Sequence, residues 1–298
     1  MNRRTPRLMG PEGNGRTAFV LSGGGSLGAV QVGMLQALTE AGSCPDLLIG
    51  TSVGAVNAAF IAGDPCHAGA VRLREIWSGL RRHDIFPLSP WSGAWGLLGR
   101  SNHMISNSSL RALLERHLPY ERLEDAAIPV HVITTELRTG RAVLMSNGPA
   151  VPALLASTAI PGIFPPVTIG RQEFIDGGVA NHTPIAGAID LGATRIFVLP
   201  VGYPWLGQEP TNALGMALFA LARFVEQRLD AEVAAYRQLV DIHVLPTPDA
   251  VAVSPADFSH TDELTARGYE LARKYLGSGP QAPAPAKQLK LAAAVQAA

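Results

Sequence analysis

The chain is short of charge, of cysteine and of any surplus of one sign. Asp, Glu, Lys and Arg make up 16% of its 298 residues, against roughly 25% in an average soluble domain, while 47% belong to the AVILMFWYC set. That balance is the reverse of a disordered chain's and excludes a mostly unfolded one. The 24 Lys and Arg cancel the 24 Asp and Glu, so the basic footprint of a general nucleic-acid binder is missing. Cys44 and Cys66 are the only cysteines. Two thiols cannot frame a disulfide scaffold or supply a four-thiolate zinc site, and they read as buried or inert thiols of a reducing compartment. The N-terminus is basic with no apolar run behind it, which is not the pattern of a secretory signal. No histidine pair has metal-ligand spacing beside carboxylates, so neither a metal nor another cofactor is expected.

Two stretches carry no charge at all: Thr17 to Thr39, and Ala142 to Gly170. A spanning helix needs about 20 apolar residues with its backbone bonds made internally. Gly23-Gly24-Gly25 interrupts the first run, and Pro149, Pro152, Pro161, Pro165 and Pro166 interrupt the second. Both fit better inside an α/β protein, whose parallel strands are covered on both faces.

Residues 17–22 read as a buried strand, 28–41 as a helix, 46–50 as a second strand and 53–63 as a second helix. Strand and helix alternating this tightly predict a parallel sheet with crossover helices. A third helix is expected at 68–82, with Val71, Ile76 and Leu80 facing inward. Residues 83–106, with Trp91 and Trp95, form an aromatic loop, packed or lid-like. Further helices are expected at 108–118, 150–158, 184–191, 212–239 and 260–276, and strands at 195–199 and 241–245. Hairpins are expected at 129–136/141–145 and 167–169/172–175. The simplest organisation is a flexible arm at 1–16, one catalytic domain at 17–277 and a flexible tail at 278–298.

Gly50-Thr51-Ser52-Val53-Gly54 matches G-x-S-x-G between a predicted strand and a predicted helix, the context a nucleophile elbow requires. Such a turn lifts the Ser52 hydroxyl out of the sheet, and Gly50 and Gly54 let backbone approach without a Cβ clash. The following helix aims its positive end at the serine. Gly23 to Gly28 also lies between a strand and a helix. Read as G-x-G-x-x-G it would bind a dinucleotide, but the acidic residue that should end the second strand is absent: Gly50-Thr51-Ser52 stands there and Asp46 sits at the other end. An oxyanion hole fits better, with the amides of Gly24, Gly25 and Ser26 as its donors. For the base, Asp176-Gly177-Gly178 follows the apolar strand Glu173–Ile175. On spacing alone it reads more readily as a turn aspartate, which Asp-Gly-Gly favours.

These residues together resemble the patatin-like phospholipase family, bacterial branch. The matching features are the glycine loop 23–28, the elbow 50–54, the segment Ala156-Ser157-Thr158-Ala159-Ile160-Pro161-Gly162-Ile163-Phe164-Pro165-Pro166, Asp176-Gly177-Gly178, and Asn181 to Pro184. The resemblance implies a three-layer α/β sandwich on a mostly parallel sheet. It also implies a Ser–Asp dyad of Ser52 and Asp176, oxyanion donors in Gly23–Ser26, and Gly28, Gly50, Gly54, Gly177 and Gly178 as supporting glycines. Many relatives carry Arg or Lys inside the loop where this chain has Leu27. That leaves backbone amides as the stabilising donors and puts a phospholipid head-group preference in question.

The expected activity is serine acyl hydrolysis of lipid esters through an acyl-enzyme. An acyltransferase or thioesterase using the same dyad is the alternative, and a binding protein with an inactive site is the third class. A triad would need His182, His243 or His260 after Asp176, with His182 the best placed. The expected partner is a lipid ester, in a cytoplasmic location with or without membrane association. Trp91, Trp95 and the 212–225 face either touch a membrane peripherally or pack on the domain.

Overall fold

The computed structural model describes residues 15–87, 103–202, 216, 227–248 and 253–278. The sheet is built on β1 (Arg16–Leu21), β2 (Leu47–Thr51), β3 (Val130–Glu136), β7 (Ala193–Leu199) and β8 (Asp241–Val244). β1 pairs parallel with β2 and with β7, β2 parallel with β3, and β7 parallel with β8. An antiparallel group extends it: β4 (Ala142–Met145) and β6 (Gln172–Asp176) both pair with β3, and β5 (Val167–Ile169) pairs with β6.

Alternate residues of each central strand feed two cores, as the period of two in a strand requires. Phe19 and Leu21 of β1 join the larger core, with α1 (Gly28–Glu40), α2 (Val53–Gly63), α3 (His67–Gly79), α6 (Ala150–Ser157) and α9 (Thr261–Gly277). Ala18 and Val20 face the smaller core, with α7 (Ile185–Asp190) and α8, the helical residues 227–236. The result is helices on both faces of a mostly parallel sheet. The two uncharged runs are accounted for here: 17–39 folds as β1, a turn and α1, and 142–170 as β4, α6 and β5. Among the described residues no helix is long and apolar enough to cross a membrane.

Three local expectations need correction. The inward stripe of α3 is Ala70, Leu73 and Trp77, continued by Leu80, while Val71 and Ile76 are half-buried. The stripe follows i, i+3, i+7, and Trp77 turns inward because Asn57 accepts its indole N–H at 2.9 Å. Residues 82–85 form a short helix, α4 (Arg82–Ile85), at the start of what reads as an irregular loop; α5 (Ser108–His117) follows further on. Cys44 and Cys66 are exposed, not buried. Trp91, Trp95, the arm up to residue 14, the tail beyond 278 and most of the 212–225 face lie outside the described residues.

Candidate active site

The carboxyl ends of β1 and β2 are adjacent, and both Gly-rich segments leave from that edge. Ser52, between β2 and α2, has φ 55° and ψ −126° and is the only described non-glycine residue with positive φ. Such backbone costs on the order of 1–3 kcal/mol. It persists here because both flanks are fixed. A Cβ on Gly54 would lie 2.4 Å from the carbonyls of Leu21 and Ser22, and one on Gly50 would lie 2.4 Å from the Gly54 carbonyl. Only glycine lets α2 start so close against β1. The Ser52 amide donates to Ser157 Oγ at 2.8 Å, and that hydroxyl donates onward to the Ile133 carbonyl at 2.6 Å.

Ser52 Oγ donates to Asp176 Oδ2 at 2.7 Å. Asp176 ends β6, and its placement follows from the register of β3. That strand pairs with β2 over Val130–Ile133 and with β6 over Thr134–Glu136, while β4 pairs along Val132–Thr135. A strand has two edges, so β2 and β6 share one, end to end, with β4 on the other. Asp176, opposite Thr134, therefore sits where β2 gives out beyond Thr51. Its Oδ1 accepts the Gly178 amide at 2.7 Å, and its carbonyl accepts Thr135 Oγ1 at 2.8 Å. Gly177 allows the turn to lie on the β3 backbone, since a Cβ there would meet the Ile133 carbonyl at 2.2 Å. Burial pushes the Asp176 carboxyl up to about 6, against the lowering pull of the Ser52 and Gly178 hydrogen bonds. A carboxyl so placed is a stronger base than an exposed one yet still ionised at neutral pH.

The glycine loop divides in two. The Ser26 amide donates to the Pro255 carbonyl at 2.8 Å and its hydroxyl to the Ser254 carbonyl at 3.0 Å. The Gly23 amide donates to the His182 carbonyl at 3.4 Å. Ser26 and Gly23 therefore leave the set of expected oxyanion donors, because segments remote in sequence already accept from them. The amides of Gly24 (φ 152°) and Gly25 (φ 61°) donate to no described group. Gly25 and Ser52 line the same cavity.

Behind the loop lies a buried polar chain that sequence reasoning left unassigned. Gln31 Nε2 donates to the carbonyls of Ser22 (2.8 Å) and Leu199 (2.9 Å), and its Oε1 accepts from Asn57. Asn57 also donates to the Gly28 carbonyl. The signal available was an amide side chain among the apolar residues of each helix, Gln31 in α1 and Asn57 in α2. Ser157 stood in a quoted segment without a role.

His182 is half-buried beside Gly23 and Gly178. Its ring nitrogen is 3.4 Å from Thr183 Oγ1. Among the described residues no histidine hydrogen bonds to Ser52 or Asp176. Burial and then the Arg228 guanidinium lower it to about 4, so it is neutral at pH 7.

A cavity leads from Ser52 along α2. Apart from Ser52 and Thr158 its side chains are apolar, and Thr158 turns its hydroxyl back to the Leu154 carbonyl at 2.8 Å. One wall is a run of rings: Trp77 against Phe258 (6.1 Å), Phe258 against Phe86 (6.2 Å), and Phe86 against Phe164 (5.4 Å).

Fold and site together define a three-layer α/β protein with a serine elbow, a paired carboxyl and two open amides at the carboxyl edge of a parallel sheet. A family model described as patatin-like phospholipase matches residues 19–189, more than half of the chain, and the chain belongs to that family. An uncharacterised NTE-family protein of Mycobacterium tuberculosis is 27% identical over 282 residues, covering 88% of this chain and 46% of that protein. Patatin-like phospholipase domain-containing protein 7 of Mus musculus is 25% identical over 279 residues, 86% of this chain and 20% of the relative. Lysophospholipase NTE1 of Phaeosphaeria nodorum is 27% identical over 200 residues, 67% of this chain and 13% of that one. The chain thus spans about half, or less, of these relatives' lengths. The solved structure of human GIVD cytosolic phospholipase A2 superposes with a TM-score of 0.51 at 12% identity, covering 89% of this chain and 58% of that one, which is a likeness of fold.

Proposed function

We propose that the protein is a serine acyl hydrolase acting on carboxylic esters of lipids. Ser52 is its nucleophile, Asp176 its base, and the amides of Gly24 and Gly25 its oxyanion donors. The observation that carries this reading is the 2.7 Å hydrogen bond from Ser52 Oγ to Asp176 at the mouth of an apolar cavity. Membership of the family and a relative named as a lysophospholipase support it.

In this mechanism the ester carbonyl carbon sits over Ser52 Oγ with its acyl chain in the cavity. As Oγ attacks, its proton passes to Asp176 Oδ2, and the carbonyl π electrons move onto oxygen beside the two amides. The start of α2 adds a favourable field for that charge. The C–O bond then breaks, the leaving alkoxide takes the proton from Asp176, and an acyl-Ser52 ester remains. Water, deprotonated by Asp176, attacks that ester; the acyl C–Oγ bond breaks, Asp176 returns the proton to Ser52 Oγ, and the fatty acid is released. Contact with a lipid surface in this reading is peripheral. The same acyl-enzyme serves an acyltransferase if an alcohol replaces water.

The test is an ester panel of p-nitrophenyl esters, phospholipid, lysophospholipid and monoacylglycerol, assayed with wild type and Ser52→Ala. Fluorophosphonate labelling is run in parallel, and products are analysed with and without an alcohol acceptor. Hydrolysis and labelling are expected to vanish together in Ser52→Ala. Hydrolysis persisting at the wild-type rate removes Ser52 from the mechanism.

A further inference from the structure

The cavity that begins at Ser52 is bounded along one side by a single face of α2. Val53, Val56 and Phe60 stand at i, i+3 and i+7, positions that share one side of a helix, and all three line the cavity with Ser52. Phe60 is the farthest of them from the nucleophile. It lies eight positions beyond Ser52, which at the helical rise is about 12 Å along the axis. An extended alkyl chain built of ~1.5 Å C–C bonds advances about 1.3 Å per carbon, so its tail draws level with Phe60 after about nine or ten carbons.

Phe60 also differs from the other phenylalanines of the cavity. Phe86, Phe164 and Phe258 are buried and joined ring to ring with Trp77. Phe60 is half-buried and, among the described residues, stacks on no other ring. The aromatic wall is fixed by its own packing, and the ring at the far end of α2 is not held in that way.

We propose that Phe60 closes the far end of this cavity and sets the length of the acyl chain it accepts, giving a preference for chains of about eight to ten carbons. This rests on the hydrolase reading, since it takes Ser52 as the point where the acyl carbonyl is held. Val56, one turn from the nucleophile and 9% exposed, is the position from which the cavity can be shortened.

The test separates occupancy from turnover. Saturated fatty acids from butyrate to myristate are titrated, below their micelle concentrations, into Ser52→Ala, Ser52→Ala/Phe60→Ala and Ser52→Ala/Val56→Phe. Each buried methylene adds about fourfold in affinity. In Ser52→Ala the gain is expected to stop near decanoate. The Phe60→Ala background moves the break to longer chains, and the Val56→Phe background moves it to shorter ones. Should one double variant fail to fold, the other still reads the shift. A break that stays in place in the variants that fold, or an affinity that climbs evenly to myristate in all three, overturns the proposal. Hydrolysis of a butyrate ester by the wild type, too short to reach Phe60, reports on the hydrolase reading separately. With that activity present, the palmitate-to-octanoate ratio of kcat/KM is expected to rise about tenfold in Phe60→Ala.

Discussion

Ser157 Oγ receives the backbone N–H of Ser52 at 2.8 Å while donating to the Ile133 carbonyl at 2.6 Å, so one buried hydroxyl ties the elbow to β3. The strand that holds Ile133 also registers Asp176 through Thr134. Ser157 thereby helps to fix the distance between Ser52 and Asp176.

Ser157→Ala is accordingly expected to leave the Ser52 amide buried without an acceptor, at a cost of about 1–3 kcal/mol. The turnover number should fall, with little change in KM, because the hydroxyl loses its alignment with Asp176. Thermal melts and steady-state kinetics on a short ester check this. An unchanged melting temperature together with an unchanged kcat removes Ser157 from its positioning role.

The two halves of the site were not equally legible in the sequence. The elbow and the loop were visible because strand, glycine turn and helix are local features, and Ser52 and Asp176 do lie within hydrogen-bond distance. The hairpins were visible for the same reason. Which loop amides stay open was not, because the groups that occupy the others come from far away: Pro255 for Ser26 and His182 for Gly23. Nor could spacing show that β6 continues the line of β2, since that depends on β3 outreaching its neighbour by three residues.

The Asp176 carboxyl, raised to about 6 by burial, gives the pH dependence its sign. In the proposed mechanism Asp176 must be ionised to take the Ser52 proton, so kcat/KM on a neutral ester should rise with pH through about 6 and level off above it. Stability runs the other way. A carboxyl that holds its proton more tightly when folded contributes stability that is complete below about 3.8 and is lost as pH rises to about 6, up to ~3 kcal/mol in all. Asp176→Asn, inactive on esters, should gain on the wild type in urea melts as the pH is raised from about 4 to about 6, and hold that gain above it. A stability difference that does not move across that window shows that Asp176 is not desolvated in solution.

Ser52 carries positive φ without being glycine, and this can be read apart from its chemistry. Ser52→Ala and Ser52→Gly both remove the hydroxyl and its bond to Asp176, so the comparison between them isolates the backbone. Glycine accepts φ 55° without the Cβ penalty, so Ser52→Gly is expected to be the more stable by about 1 kcal/mol. Equal denaturation midpoints for the two variants would mean that the elbow relaxes in solution.

His182 decides between a dyad and a triad. It is the histidine best placed to complete a Ser-Asp-His set, and it does lie beside Gly23 and Gly178. Its Nδ1, however, lies 3.4 Å from Thr183 Oγ1, its Nε2 edge packs beside Gly23 without a hydrogen bond to Ser52 or Asp176, and the hydrogen bond it makes with the loop is through its carbonyl, which any residue at position 182 retains. Held at about 4 by burial and Arg228, the ring is also too weak a base to compete with a carboxyl near 6. His182→Ala should therefore keep turnover within about fivefold of wild type, whereas loss of a working triad member costs on the order of 10⁴ or more. The check is kcat on a p-nitrophenyl ester across pH 5 to pH 9. In the dyad the limb near about 6 survives the substitution, because Asp176 carries it. A thousandfold loss, or disappearance of that limb, would assign the proton transfer to the imidazole.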